Sequence, residues 1–353
     1  MRALYGTALV TFCFGSASAC AQQAYIANAD DGTLSILSGE QAAPLATVSI
    51  GGAPVAVAVA PDDTRLYIAD ARGRAISVIA ATDGRAIDTI PLGSVPSAIA
   101  VSPDGGRLYV VSRAAGTVTI VAIARRTVLA VVAVGPAPGS IALAPDGSRA
   151  YVANGDGTLS AIATADFGVM TTVQIGSALA GIAAGRDGRA VYVASADDDR
   201  IAIIDTIGNR VVGTIPVGHR PSGIAIHGDV LYCADAADDQ VEVIALTDRN
   251  RVGTLAVGHD PGGLAVTPGG TYVYVVNRGD GSVSVIATAT SAVRATVKVG
   301  AGASGFGGFA GGRAKSSERS FSEWLALGAF AMGLGGFAAV RVRKEPRPKA
   351  APQ

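Results

Sequence analysis

A tyrosine recurs along this chain at a nearly constant interval, and no other feature of the sequence constrains the fold as strongly. The seven copies are Tyr25, Tyr67, Tyr109, Tyr151, Tyr192, Tyr232 and Tyr274, separated by 42, 42, 42, 41, 40 and 42 residues. Each opens a tetrapeptide that continues with two apolar residues and ends in Asn, Asp or Ser. Self-similarity at a fixed period of about 20 to 50 residues indicates a repeat architecture.

Each repeat has room for four short strands, as the unit from Ser97 to Gly135 shows. Its first turn is Ser102-Pro103-Asp104-Gly105, in which proline fixes φ and glycine tolerates positive φ. Aromatic residues make up only 5% of the chain, and the apolar residues are mostly Val, Ile, Ala and Leu, a composition that favours strands. The predicted strands of this unit cover residues 97–101, 108–111, 117–122 and 128–134.

Four short antiparallel strands in every unit predict an all-β fold, a seven-bladed β-propeller of four-stranded blades over residues 24–310. The first unit begins on its second strand at Tyr25, so blade one lacks its innermost strand. One extra first-strand segment follows the seventh unit, with Ser304, Phe306 and Phe309 as its markers. This C-terminal strand is predicted to complete blade one and close the ring, which leaves the sheet ends protected.

The repeat resembles the YVTN-type β-propeller repeat family over about residues 24–310. The unit at residues 258–300 carries most of the family pattern. Its segments are Gly258-His259-Asp260-Pro261, Thr267-Pro268-Gly269-Gly270, Tyr274-Val275-Val276-Asn277, Gly281-Ser282-Val283 and Val299-Gly300. The resemblance implies the propeller fold and leaves the function open, because propellers host many unrelated activities.

Residues 1–21 are predicted to be a secretory signal peptide. Arg2 provides a positive start, and an apolar stretch too short to span a bilayer follows it. Small residues place the cleavage site after Ala19 or Ala21. Acylation of Cys20, as in a lipoprotein, is the alternative. Either interpretation predicts that the propeller is exported.

A second apolar segment near the other end predicts a transmembrane helix within residues 321–344, after a polar linker at residues 311–320. Its apolar run, residues 324–340, is at the lower limit of length for a spanning helix. Basic residues follow, so the tail at residues 345–353 is expected in the cytoplasm and the propeller outside. The segment beginning Ser322-Glu323-Trp324 is similar to the IPTL-type sorting signals of Gram-negative bacteria, although it lacks their Pro-Thr-Leu.

Ligands on propellers usually lie at the mouth of the central channel, so the loops expected there supply the candidate ligand-binding residues. These are His219, Arg220, His259, Asp260, Asp198 and Asp238. The loops between second and third strands are rich in aspartate, Asp235 among them, which predicts either a site for a cation or turns capped by carboxylates. His219, His259 and Asp260 are the candidates for a divalent metal, since such ligands suit Zn, Cu or Fe.

Several classes of function are disfavoured by composition. The 28 basic and 28 acidic residues balance, and an acidic loop face with few aromatics would repel phosphates, which disfavours nucleic-acid binding. No Cys-x-x-Cys-His is present for covalent haem. The predicted function is therefore a periplasmic or cell-surface module that binds an extracytoplasmic protein or small ligand without catalysis and without a cofactor. The alternative is a metal-dependent hydrolase of the kind seen on lactonase propellers.

Overall fold

The computed structural model describes residues 23–304 and 310–311, and within them every regular element is a β-strand. Blades one to four contain β1 (Gln23–Asn28), β2 (Thr33–Ser38), β3 (Ala43–Ser49), β4 (Pro54–Val59), β5 (Arg65–Asp70), β6 (Ala75–Ala80), β7 (Ala86–Pro91), β8 (Ala98–Val101), β9 (Arg107–Ser112), β10 (Thr117–Ala122), β11 (Thr127–Ala133), β12 (Ser140–Leu143), β13 (Arg149–Ala153), β14 (Thr158–Ala163) and β15 (Val169–Gln174). Blades five to seven contain β16 (Leu179–Ala184), β17 (Ala190–Ser195), β18 (Arg200–Asp205), β19 (Arg210–Pro216), β20 (Pro221–His227), β21 (Val230–Asp235), β22 (Gln240–Ala245), β23 (Asn250–Ala256), β24 (Pro261–Val266), β25 (Tyr272–Asn277), β26 (Ser282–Ala287) and β27 (Ala292–Lys298), and the chain then returns to blade one as β28 (Ala303–Ser304) and β29 (Ala310–Gly311).

The strands form seven antiparallel sheets, which confirms the predicted seven-bladed propeller of four-stranded blades. In blades two to seven the strands pair in chain order, and in blade one β28 pairs with β1 ahead of β2 and β3. The first strands of successive blades contact one another, so they surround the central channel. Their approach is close: a Cβ at Gly223 would lie 2.1 Å from the carbonyl oxygen of Gly262 in the next blade, so only glycine fits there.

The second and third strands of each blade are buried on both sides because neighbouring blades pack against both faces. The repeated tyrosines lie in this packing, and Tyr109, Tyr151 and Tyr274 are among the largest side chains with under 2% exposure. Fourth strands form the rim and are mostly exposed, as β11 shows. Burial of one large apolar side chain stabilises the fold by about 1.5 to 3 kcal/mol. Because every blade needs such a side chain at the same place in its core, the tyrosine recurs once per blade.

The C-terminal end of the described chain completes blade one, as predicted. β28 pairs antiparallel with β1 at Ala27 and Ser304, and β29 pairs with it at Ala24 and Ala310. The Ser304 hydroxyl also donates a hydrogen bond to the Val55 carbonyl of blade two, at 2.5 Å. Pairing thus reaches Gly311, one residue beyond the predicted propeller. The other two markers of this strand, Phe306 and Phe309, lie outside the described residues.

The predicted signal peptide with its cleavage residues Ala19 and Ala21, the transmembrane segment at residues 321–344 and the tail at residues 345–353 also lie outside the described residues. In the part of the chain that the structure describes, no helix has the length and apolar character needed to cross a membrane.

The asparagine that ends the repeated tetrapeptide packs against a glycine in the loop entering its blade. Asn154 donates hydrogen bonds to Thr158 and Ser160 at 3.0 and 2.9 Å. A Cβ at Gly135 would lie 2.5 Å from the Asn154 amide nitrogen. Asn28 and Asn277 make the equivalent pair of hydrogen bonds in blades one and seven. This contact explains the glycine that begins the entry loop in blades one, four and seven.

Gly135→Ala is therefore expected to lower the free energy of unfolding by about 1 to 3 kcal/mol, because the new methyl group displaces a buried, hydrogen-bonded amide. Urea titration measures the change. Gly93→Ala is the matched control, since Gly93 begins the same loop of blade three and a Cβ there meets no atom within 4 Å. Equal effects of the two substitutions would contradict the packing explanation.

Candidate functional site

Two sets of loops meet on one side of the ring, and we call this side the loop face. The entry loops lead into the first strand of each blade, and the inner hairpin loops join second to third strands. They are connected by backbone hydrogen bonds, such as Ala236 N–H to the Arg220 carbonyl at 3.1 Å and Gly279 N–H to the His259 carbonyl at 3.0 Å. The face expected to carry the site is therefore built from both sets.

A cavity of about 320 Å³ opens on the loop face at the mouth of the channel. Its walls combine three arginines with small or apolar residues of blades five and six. The lining residues used below are Arg113, Arg220, Arg278, Leu179, Ala196, Pro221 and Ala236. A second cavity of about 220 Å³, lined by the first strands, continues it into the channel, and the two share Ala180, Ser222 and Gly262.

Backbone hydrogen bonds anchor the three arginines. Arg113 N–H donates to the Ser97 hydroxyl at 3.2 Å, Arg220 N–H to an Asp199 carboxylate oxygen at 2.9 Å, and Arg278 N–H to the Asp260 carbonyl at 3.0 Å. Arg220 also has φ of 53°, a left-handed conformation unusual for a residue with a side chain. The arginines therefore start from defined positions in blades three, six and seven.

The three guanidinium groups differ in their counter-charges. Arg278 forms an ion pair with Asp260 at 2.9 Å. Among the described residues, neither the Arg113 nor the Arg220 guanidinium has a side-chain hydrogen bond or an ion-pair partner, and no carboxylate lines the cavity. Guanidinium is a planar donor that binds carboxylate and phosphate oxygens in pairs. The cavity mouth is thus a cationic site that can accept an anion.

The two predicted histidines lie on the loop face, each paired with its own aspartate. His219 Nδ1 is 3.0 Å from Asp238, and His259 Nδ1 is 2.9 Å from Asp239. These hydrogen bonds raise the pKa of both histidines above the usual value. Within residues 23–304 and 310–311, no three His, Cys, Asp or Glu side chains are grouped to hold a metal ion. Asp260, the third metal candidate, is the partner of Arg278 instead.

Replacing Asp238 with Asn is expected to lower the pKa of His219 and leave that of His259 nearly unchanged, and Asp239→Asn should do the opposite. The hydrogen bond to one carboxylate is the main cause of each raised pKa, so the ion pair is present at low pH and is lost as the pH rises through that pKa. NMR titration of the two imidazoles measures both values. A fall of both pKa values in either variant would show one shared site.

Asp198 and Asp238, predicted as ligand-binding residues, hold loops together. Asp198 accepts hydrogen bonds from the Ser195 hydroxyl at 2.5 Å and from Ser177 N–H at 2.9 Å, and the first of these is the main reason its pKa is lowered. Asp238 accepts from His219 N–H at 2.7 Å, which lowers its pKa in the same way. Asp280 and Asp31 accept the equivalent N–H in blades seven and one. The interpretation of these acids as turn caps therefore accounts for their contacts.

Of the predicted site residues only Arg220 lines the cavity, and Arg113 and Arg278, which also line it, are not among the predicted residues. A signal for both was present four residues after the repeated tyrosine. That position holds Ala29, Ala71, Arg113, Gly155, Ala196, Ala236 and Arg278 in the seven repeats. It is small in five repeats and arginine in two, and the structure shows that it faces the channel mouth in blades three, five, six and seven.

Blade six replaces the buried asparagine network with acids. Asp235 occupies the asparagine position, and Glu242 occupies the position of Ser35, Ser160 and Ser284; both acids have 0% exposure. Glu242 pairs with Arg251 at 2.7 Å through one oxygen, while its other oxygen has no hydrogen-bond partner. Burial, with the nearby Glu242 charge, raises the pKa of Asp235 to about 7. The sequence places Asp235 among the acids of a loop between second and third strands, whereas in the structure it is the buried last residue of β21.

Comparison with known proteins supports the fold and goes no further. No protein-family model and no curated protein sequence matches this chain. Its structure is similar to Kuenenia stuttgartiensis hydrazine synthase (TM-score 0.64, 20% identity, 71% of this chain and 88% of that one). It is also similar to a functionally unknown protein from Desulfotomaculum acetoxidans (TM-score 0.70, 14% identity, 80% of this chain and 97% of that one). A third similar structure is the dihydro-heme d1 dehydrogenase NirN in complex with DHE (TM-score 0.61, 16% identity, 78% of this chain and 63% of that one).

Proposed function

We propose that this protein is an exported bacterial β-propeller that works as a non-catalytic binding module, with its ligand seated at the channel mouth. The observation that carries the proposal is the cavity of about 320 Å³ on the loop face. That volume lies at the lower end of the range of small-molecule sites, about 300 to 1,000 Å³. The surrounding blades provide a rigid frame for the loops that line it.

The proposed location rests on the two ends of the sequence. Residues 1–21 have the pattern of a secretory signal, and residues 321–344 that of a membrane anchor or sorting signal. The propeller is then held in the periplasm or at the cell surface, where it binds an extracytoplasmic ligand or protein. The resemblance to the YVTN-type repeat family supports the propeller fold, and the resemblance of the C-terminal segment to IPTL-type sorting signals supports the proposed location.

Binding is favoured over hydrolysis because the titratable groups of the loop face are engaged in holding loops. His219 pairs with Asp238, His259 with Asp239, and Asp260 with Arg278. A metal-dependent hydrolase needs His219 and His259 to share an ion. Metal analysis of protein purified without chelator checks this directly. A stoichiometric transition metal that is lost in His259→Ala would overturn the proposal of a non-catalytic module.

Blocking the cavity tests the proposed site. Ala196→Trp fills it from the inner hairpin loop of blade five, and Ala124→Trp adds the same side chain at an exposed position between the third and fourth strands of blade three, outside the cavity lining. Full-length protein is screened by thermal unfolding against small molecules from the exported fraction. A ligand at 100 times its Kd stabilises by about 2.7 kcal/mol. Compounds that stabilise the wild type and Ala124→Trp should not stabilise Ala196→Trp; equal responses of all three proteins would contradict the site.

A further inference from the structure

We propose that the ligand of the channel mouth is an organic anion with a compact apolar body, whose acidic group is bound by Arg113, Arg220 and Arg278. This inference rests on the proposed function and deepens it by naming the chemical class of the ligand. The class follows from three properties of the cavity: its charge, the arrangement of its cations and the apolar character of one wall.

The charge of the cavity selects an anion. Its lining contains three arginines and no carboxylate. Asp260 pairs with Arg278 from outside the lining and neutralises one of the three charges. Arg113 and Arg220 are left without a counter-ion among the described residues. Like charges facing one cavity repel each other, and an anion between them removes that repulsion while satisfying their N–H donors.

The acids around the cavity do not compete for these arginines because they are engaged with the loop backbone. Asp199 accepts a hydrogen bond from the backbone N–H of Arg220, and its carboxylate forms no ion pair with the Arg220 guanidinium. Asp198 and Asp238 accept backbone N–H groups of two entry loops. The acidic residues therefore fix the loops, and the guanidinium groups are the charged groups that remain for a ligand.

The arrangement of the arginines favours an acid group at the centre of the mouth. Arg220 and Arg278 belong to the neighbouring blades six and seven, whereas Arg113 belongs to blade three, which neither of them adjoins. An anion placed over the channel is therefore contacted by arginine side chains from separate parts of the ring. Arg220 is held in position by its left-handed backbone and its Pro221 neighbour. A single guanidinium on a flexible loop offers no such convergence.

The apolar wall selects a ligand with an apolar body over a bare inorganic ion. Leu179, Ala196, Pro221 and Ala236 line the side formed by blades five and six. Phosphate or sulfate would leave this wall facing water, whereas an alkyl or aryl group would cover it, at a gain of about four-fold in affinity for each methylene buried. The short alanine side chains at two adjacent blades provide the space for that group.

Binding of three water-soluble probes tests the class. The full-length chain is held in phosphatidylcholine nanodiscs, with empty nanodiscs as the reference, and titrated with acetate, hexanoate and 1-hexanol by calorimetry. Hexanoate should bind at least ten-fold more tightly than either acetate or 1-hexanol, because only hexanoate uses both the arginines and the apolar wall. Its Kd should rise with ionic strength, as expected for an exposed ionic contact.

Variants assign the binding to the cavity. Arg113→Ala and Arg220→Ala should each weaken hexanoate about ten-fold, the usual effect of losing a hydrogen bond to a charged group. The double variant should show no binding at millimolar hexanoate. Arg125→Ala, an exposed arginine in a loop between third and fourth strands, is the matched control and should bind as the wild type does. Equal thermal midpoints of the variants show that folding is retained.

The outcomes separate this inference from the proposed function. Equal affinities for acetate and hexanoate would overturn the apolar body and leave the anion site standing. Equal affinities for hexanoate and 1-hexanol, or unchanged binding in the double arginine variant, would overturn the anionic class. If hexanoate does not bind while another compound stabilises the wild type and not Ala196→Trp, the inference about the ligand class is wrong and the proposed binding function is retained. If no compound distinguishes Ala196→Trp from the wild type, both fall.

Discussion

Deleting residues 303–311 from the full-length chain is expected to lower the free energy of unfolding by more than about 5 kcal/mol, enough to unfold many domains outright. β28 and β29 supply the inner strand of blade one, and without them the inner edge of β1 loses its hydrogen-bond partners. Ala303, 4% exposed, packs in the cluster that contains Tyr25 and Ile26. The Ser304 link to Val55 of blade two would also be lost.

Urea unfolding followed by circular dichroism measures this loss. The matched control is a chain that ends after Gly311, which keeps the closing strand and removes residues 312–353. It should unfold at the same urea concentration as the full-length protein. A deletion variant with an unchanged midpoint would show that blade one is stable with three strands and that the ring does not depend on its C-terminal strand.

Asp235→Asn is expected to stabilise the propeller, and the gain should be about 2 to 3 kcal/mol larger at pH 8 than at pH 5. Asp235 is buried, and its pKa is raised from 3.8 to about 7 in the folded protein. Between these values the folded state binds one more proton than the unfolded state. Stability from this group is therefore highest at low pH and falls as the pH rises toward 7. An asparagine restores the residue type that blades one, four and seven use.

Chemical denaturation at the two pH values gives the comparison. Asp229→Asn serves as the control, because Asp229 is an exposed acid of the same blade. Its effect should be small and nearly equal at pH 5 and pH 8. If the effect of Asp235→Asn were also independent of pH, the Asp235 carboxyl would be ionised in the folded protein and the description of the blade-six core would be wrong.

The architecture was predictable because it depends on periodic features that the sequence displays directly. The spacing of the tyrosines sets the length of each blade, and apolar runs between Gly and Pro turns place the strands. The strand predicted over residues 117–122 coincides with β10, and the strand predicted over 128–134 differs from β11 by one residue at each end. Closure was predictable for the same reason: the sequence has one extra first-strand segment, at Ser304, and one blade, blade one, that lacks its first strand.

The site was harder to predict because it depends on where single side chains point. His219 and His259 both lie on the loop face, but each is hydrogen-bonded to its own aspartate, Asp238 or Asp239. The repeat pattern does not show that Arg220 has a left-handed backbone. Arg113 is distant in sequence from the other two arginines, and only the closed ring brings it to the same cavity.

Asp235 illustrates how a repeat can mislead. It lies at the end of its tetrapeptide and close to Asp238 and Asp239, so its distance along the chain groups it with the loop acids. Its position in the repeat is that of Asn28, Asn154 and Asn277, which are all buried. Aligning the acids by their place in the repeat, instead of by their distance along the chain, would have identified the buried member.

The most direct test of the binding site is NMR of the arginine side chains in the full-length protein during titration with hexanoate. The Nε–H signals, assigned by single Arg→Lys substitutions, report on each guanidinium separately. The signals of Arg113, Arg220 and Arg278 should shift together with one Kd, while that of Arg125 stays fixed. Shifts distributed over arginines outside the cavity, or no shift of these three signals at saturating hexanoate, would contradict an anion site at the channel mouth.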